Sequence, residues 1–123
     1  VKEGKISKEK IEQIVDRTKK GGAEIVKYLE KGSAFYAPAA SGVEMAECYL
    51  KDLKKQLPCA VYLNGEYETK GIYAGVPVII GSKGVEKIVE LELTPEEKTN
   101  FNNSVNSVRE LFDAAKKIDK ELN

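Results

Sequence analysis

Thr94-Pro95-Glu96-Glu97 and the apolar stripe that follows it constrain this chain more than any other stretch. Threonine at the N-cap, proline at the first helical position and glutamate three residues past the cap make a capping box, in which cap and glutamate satisfy each other's backbone donors. From there Phe101, Val105, Val108, Leu111, Phe112, Ala115, Ile118 and Leu122 recur at helical period, giving one apolar face over about seven turns. A stripe of that length has to be buried. The rest of the chain must therefore supply a surface for a long terminal helix to lie across.

The residues before the cap have the rhythm of a sheet. Leu57 through Leu63 is a short apolar run closed by Asn64-Gly65, a pair that favours a two-residue hairpin because both positions accept positive φ. Tyr67 then begins the returning strand. Ile72 to Ile80 is too apolar for a half-exposed strand and carries Pro77, so it reads as a buried strand with a bulge or an edge position at the proline. Gly81-Ser82-Lys83-Gly84 turns the chain. Val85, Val89, Leu91 and Leu93 follow, with Glu86, Glu90 and Glu92 on the opposite parity, the pattern of a strand with one wet face.

The first half is helical. Ser7 stands at an N-cap with Ile6 and Ile11 placed as a hydrophobic staple. The positions Ile14, Val15, Thr18, Gly22, Ile25, Val26 and Leu29 continue one amphipathic face to about Glu30. Gly21-Gly22 costs a helix about 2 kcal/mol relative to alanines; it marks either a bend or close approach, or a break between two shorter helices. Lys31-Gly32 is a stop signal. A second helix is predicted from Ala34 to Lys54, with Pro38 tolerated in its first turn and Lys51-Asp52-Leu53-Lys54-Lys55 as its solvated end. Helices first, an antiparallel meander in the middle and a long helix last make an α+β fold, an antiparallel sheet flanked by long helices.

Composition narrows the chemistry. With 123 residues the chain has the size of one domain. Lys plus Arg and Asp plus Glu both total 20, so no charge excess draws it to nucleic acid or an anionic membrane. No apolar run reaches the roughly 20 residues of a spanning helix, and Val1 opens no signal-peptide pattern. Cys48 and Cys59 read as reduced packing residues, consistent with a cytoplasmic protein. There is no histidine, which removes the commonest general base and metal ligand. Two cysteines eleven positions apart and no calcium-loop carboxylates leave no metal site. Gly81 to Gly84 lacks phosphate-loop spacing, Ser33 and Ser41 have no activating base, and Glu96-Glu97 serves the cap. No catalytic residue is assigned. Met45 is the only methionine and the chain opens at Val1, which reads as a piece of a longer product.

One stretch remains unexplained. Gly32-Ser33-Ala34-Phe35-Tyr36-Ala37-Pro38-Ala39-Ala40-Ser41 is uncharged in a chain one-third charged. Small side chains beside Phe35 and Tyr36 suit either a pocket wall or a tight helix corner.

That decapeptide, followed by Glu44-Met45-Ala46-Glu47, resembles the C-terminal domain of bacterial malate dehydrogenases of the lactate-dehydrogenase-like type. Gly21-Gly22-Ala23-Glu24-Ile25-Val26 before it, and Leu57-Pro58-Cys59-Ala60, Asn64-Gly65-Glu66-Tyr67 and Tyr73-Ala74-Gly75-Val76-Pro77 after it, stand in the family's order. The resemblance implies that residues 1–123 are the substrate domain of a longer enzyme. It further implies that the dinucleotide-binding domain, with the histidine, aspartate and arginine of catalysis, lies outside them. It implies NAD-dependent hydride transfer between malate and oxaloacetate, in the tricarboxylic acid cycle, by a chain inactive alone. By position Ser33 and Ala34 would line the substrate pocket, and Ala37 and Pro38 would lie at the nicotinamide. A small residue at Ala34 leaves room for a second carboxylate, which suits malate over lactate. The helix Ser7 to Glu30 resembles the subunit-contact helix and implies a homo-oligomer, dimer or tetramer, with Gly21-Gly22 at a two-fold contact. A lactate dehydrogenase, or a stand-alone non-catalytic interaction module, are the alternatives.

Overall fold

The computed structural model describes residues 5–122; Val1 lies outside them. The chain forms two compact units, residues 1–44 and 45–123, whose boundary falls inside the second helix.

In the first unit, helix α1 (Lys8–Leu29) begins where the Ser7 hydroxyl accepts the Lys10 N–H at 3.2 Å. It runs unbroken through Gly21-Gly22, so the two-helix reading fails. Nothing lies within 4 Å of a Cβ placed on either glycine, so no described neighbour uses the space they leave. Not one α1 residue is buried. The helix ends at Glu30, which turns to φ 59 while its N–H still reaches the Val26 carbonyl at 3.0 Å. Gly32, at φ +94, completes the reversal.

Helix α2 spans Tyr36–Leu50, shorter at both ends than Ala34 to Lys54. At its start the Phe35 N–H folds back on the Ser33 carbonyl at 2.9 Å, and the Phe35 carbonyl accepts the first helical bond, from Ala39, at 2.9 Å. Pro38 therefore occupies the third helical position, where a missing N–H costs nothing. At its end, in the second unit, Asp52 takes φ 49 and the Leu53 N–H donates to the Cys48 carbonyl at 3.0 Å. This is a Schellman closure with aspartate where glycine is usual. The Asp52 carboxylate also accepts the Ser82 N–H at 2.8 Å, tying the helix end to the Gly81–Gly84 turn.

The sheet has three antiparallel strands, β1 (Lys55–Asn64), β2 (Lys70–Gly81) and β3 (Gly84–Ile88), in the order β1-β2-β3. The β1–β2 connection is longer than a two-residue turn. Glu66–Glu68 form a 3₁₀ turn with Tyr67 at φ 52, so Tyr67 does not begin the returning strand. Pro77 is neither on an edge nor at a bulge: it sits in the central strand opposite Pro58. Its carbonyl points the other way, accepting the Val89 N–H at 2.8 Å. The two prolines thus face each other at a site where neither has to donate to the other. The register shifts instead at Leu63/Asn64 and Ile79/Ile80. Strand β2 is buried or half-buried at every position from Val76 to Gly81, as expected, and opens toward its start, where Tyr73 is 63% exposed beside buried Ile72. Strand β3 stops at Ile88, before Leu91 and Leu93.

Helix α3 (Pro95–Ile118) starts on the complete capping box: Thr94 Oγ1 accepts the Glu97 N–H at 3.3 Å and Glu97 accepts the Thr94 N–H at 2.8 Å. Val105 is buried and Phe101 packs against the core formed by Cys48, Cys59, Leu63, Val76, Val78 and Ile80. The stripe's far end stays open, with Ile118 88% exposed. All of this core lies in the second unit.

Candidate functional site

Ser33, Ala34, Ala37 and Pro38 come together at the start of α2. Ser33 and Ala34 form the turn that enters it and Ala37 and Pro38 its first turn. Ala34 is half-buried while Ser33, Ala37 and Pro38 are exposed. The residue preceding the helix, Phe35, has no side-chain oxygen to cap it. The first turn carries no acidic side chain. Its free N–H groups, on the positive end of the helix dipole, thus face their surroundings without a competing carboxylate. Phe35 and Tyr36 stack at 4.5 Å between ring centroids, tilted by 31°, and both stay more than half exposed. The site offers a small-residue platform beside an aromatic pair. It holds no proton donor or acceptor in the pH range of catalysis.

The other reactive or polar groups have structural partners. Burial pushes the Cys59 thiol above its ordinary pKa, with Cys48 adding to the effect, so Cys59 behaves as a packing atom; Cys48 is fully buried in the same core. Among the described residues no group of three potential ligands gathers for a metal. The Gly81–Gly84 segment is a turn whose Ser82 N–H is already held by Asp52, and that bond keeps the Asp52 carboxyl below its usual value. No described helix is long and apolar enough to cross a membrane.

Two features escaped the sequence reading. On α1, Arg17 forks onto Glu24 at 3.1 and 2.9 Å, bridging seven positions over Gly21, in a shallow recess of about 440 Å³ that Ile14, Ile25 and Tyr28 help to line. The pair raises the Arg17 pKa and lowers that of Glu24. The glycine between two opposite charges was the available signal. The second is Tyr67, whose hydroxyl donates to the Val89 carbonyl at 2.7 Å and accepts the Leu91 N–H at 3.0 Å.

Residues 1–120 match the family of the lactate/malate dehydrogenase alpha/beta C-terminal domain. A malate dehydrogenase of Pelagibacter ubique (strain HTCC1062) is 66% identical over 122 residues, covering 99% of this chain and 38% of that protein. Among solved structures, Cryptosporidium parvum malate dehydrogenase is 47% identical with a TM-score of 0.87, covering 95% of this chain and 37% of that one. Eimeria maxima lactate dehydrogenase, solved with NADH and oxamate, is 45% identical with a TM-score of 0.89, covering 97% and 37%. The chain thus spans little more than a third of the length of these relatives.

Proposed function

Because the chain belongs to the lactate/malate dehydrogenase C-terminal domain family, we propose that it supplies the substrate side of an NAD-dependent malate dehydrogenase. The observation that carries this reading is the 66% identity to a malate dehydrogenase over 99% of the chain. The fold alone does not choose the substrate, since solved malate and lactate dehydrogenases match it equally well.

The platform at the start of α2 fits the assignment. Ala34 contributes only a methyl group, so a C4 dicarboxylic acid finds room that a bulkier side chain would take. Ser33 brings a hydroxyl to the same turn. Ala37 and Pro38, exposed and without charge, are suited to lie against a flat, weakly polar ring such as nicotinamide. When bound, the oxidised cofactor NAD would accept a hydride from malate and its reduced form NADH would return one to oxaloacetate. These residues contribute shape, positioning and exclusion of water. Proton transfer falls to groups outside residues 1–123, which contain no histidine. The exposed apolar face of α1, with Gly21-Gly22 at its centre, supports a homo-oligomer joined through that helix.

Ala34→Leu in the native gene product tests the pocket. Filling the space of the second carboxylate should lower kcat/KM for oxaloacetate by about 10- to 100-fold, with the KM for NADH unchanged. Unaltered oxaloacetate kinetics would remove Ala34 from the pocket.

A further inference from the structure

Ala34 is the centre of a three-residue turn. The Phe35 N–H donates to the Ser33 carbonyl at 2.9 Å and Ala34 keeps a negative φ, which makes this the common inverse γ-turn. A second turn of the same size lies just upstream, where the Lys31 N–H donates to the Leu29 carbonyl at 2.6 Å around Glu30, at φ 59 and ψ -32. Gly32 joins the two. Among the described residues no side-chain hydrogen bond or ion pair braces positions 30–35. The direction in which Ser33 and Ala34 leave α1 is therefore set by backbone dihedrals.

The dihedral that stands out is at Gly32. Its φ of +94 lies beyond the left-handed range of about +50 to +70° that residues with a Cβ can enter, whereas the φ of Glu30 falls inside it. A Cβ on Gly32 would meet nothing within 4 Å among the described residues. Glycine serves this position by its conformation, not by its size.

The geometry points to Gly32 as a positioning residue: its left-handed backbone aims the Ser33–Phe35 turn, and with it the Ala34 methyl, at the substrate. That this turn meets substrate rests on the proposed function; the conformational requirement does not. Gly32→Ala and Gly32→Asn in the native gene product separate conformation from size, because asparagine is the larger side chain yet enters positive φ several-fold more often. The kcat/KM for oxaloacetate should fall about 10- to 100-fold in Gly32→Ala and several-fold less in Gly32→Asn. The KM for NADH should stay unchanged, since Ala37 and Pro38 lie within α2. Hydrogen exchange without substrate, read by mass spectrometry, should quicken across 31–36 in the same order, alanine above asparagine above native, while β2 at 72–80 keeps its rates. A native-like Gly32→Ala protein would overturn the proposal. So would alanine tolerated better than asparagine, the order that crowding by another part of the protein would give, or protection lost equally in 72–80. If the native protein turns over neither oxaloacetate nor pyruvate, the proposed function falls and the exchange series alone decides for or against Gly32.

Discussion

Replacing Tyr67 by phenylalanine removes one oxygen atom and leaves a ring. The hydroxyl holds the segment between β3 and α3, donating to the Val89 carbonyl at 2.7 Å and accepting the Leu91 N–H at 3.0 Å. The ring itself packs on Phe101, 5.2 Å between centroids, and would stay. Leu91 is half exposed, so water can replace the lost acceptor there; Val89 is less accessible and its carbonyl is left without a partner. At about 1 kcal/mol net per neutral hydrogen bond, and somewhat more where a partner is stranded, the loss is about 1.5 kcal/mol. For a chain of 123 residues that lowers Tm by about 6 °C. Urea unfolding of the chain followed by circular dichroism should show a lower midpoint at constant m-value. Tyr67→Leu, which also removes the aromatic contact, should cost about a further 1 kcal/mol. A Tyr67→Phe protein within about 0.3 kcal/mol of the native chain, below any hydrogen-bond contribution of this kind, would refute the reasoning.

Leu63→Ala empties a fully buried position at the centre of the core and should destabilise the chain by about 2–5 kcal/mol in the same denaturation assay. Gly81→Ala brings a methyl within 2.7 Å of Asp52 Oδ1 as well as onto Glu86. It should destabilise the helix–turn tie and be partly rescued by Glu86→Ala in a double-mutant cycle. Glu97 has its pKa held down by the Thr94 N–H. A depressed carboxyl stabilises the fold at neutral pH and loses that effect as pH falls through its folded-state value. Glu97→Gln should therefore show a shallower fall in stability than the native chain between about pH 5 and pH 3.

The helices were legible where local signals agree with tertiary demand. Ser7 and Thr94 announced α1 and α3 because a capping oxygen acts within one turn. Strand positions followed from alternation. The β1–β2 connection was not legible: Asn64-Gly65 favours a tight turn, yet Tyr67 is drawn inward by Phe101 and by the backbone of residues 89–91, and the loop lengthens to let it reach. Pro77 looked like an edge residue because a single strand does not show its partner; Pro58 opposite it removes the conflict. Leu91 and Leu93 had strand parity, but the chain leaves β2 after Val89 and the Leu91 N–H goes to the Tyr67 hydroxyl instead of to a strand. At the candidate site, small uncharged residues mark a surface but include no titratable group that would name a reaction. The Arg17–Glu24 bridge needed three-dimensional spacing, seven residues being two helical turns.

Steady-state reduction of oxaloacetate and of pyruvate with NADH, measured side by side on the purified native gene product, bears most directly on the assignment. A malate dehydrogenase should prefer oxaloacetate by about 100-fold or more in kcat/KM. A preference for pyruvate, or turnover of neither acid, would contradict it.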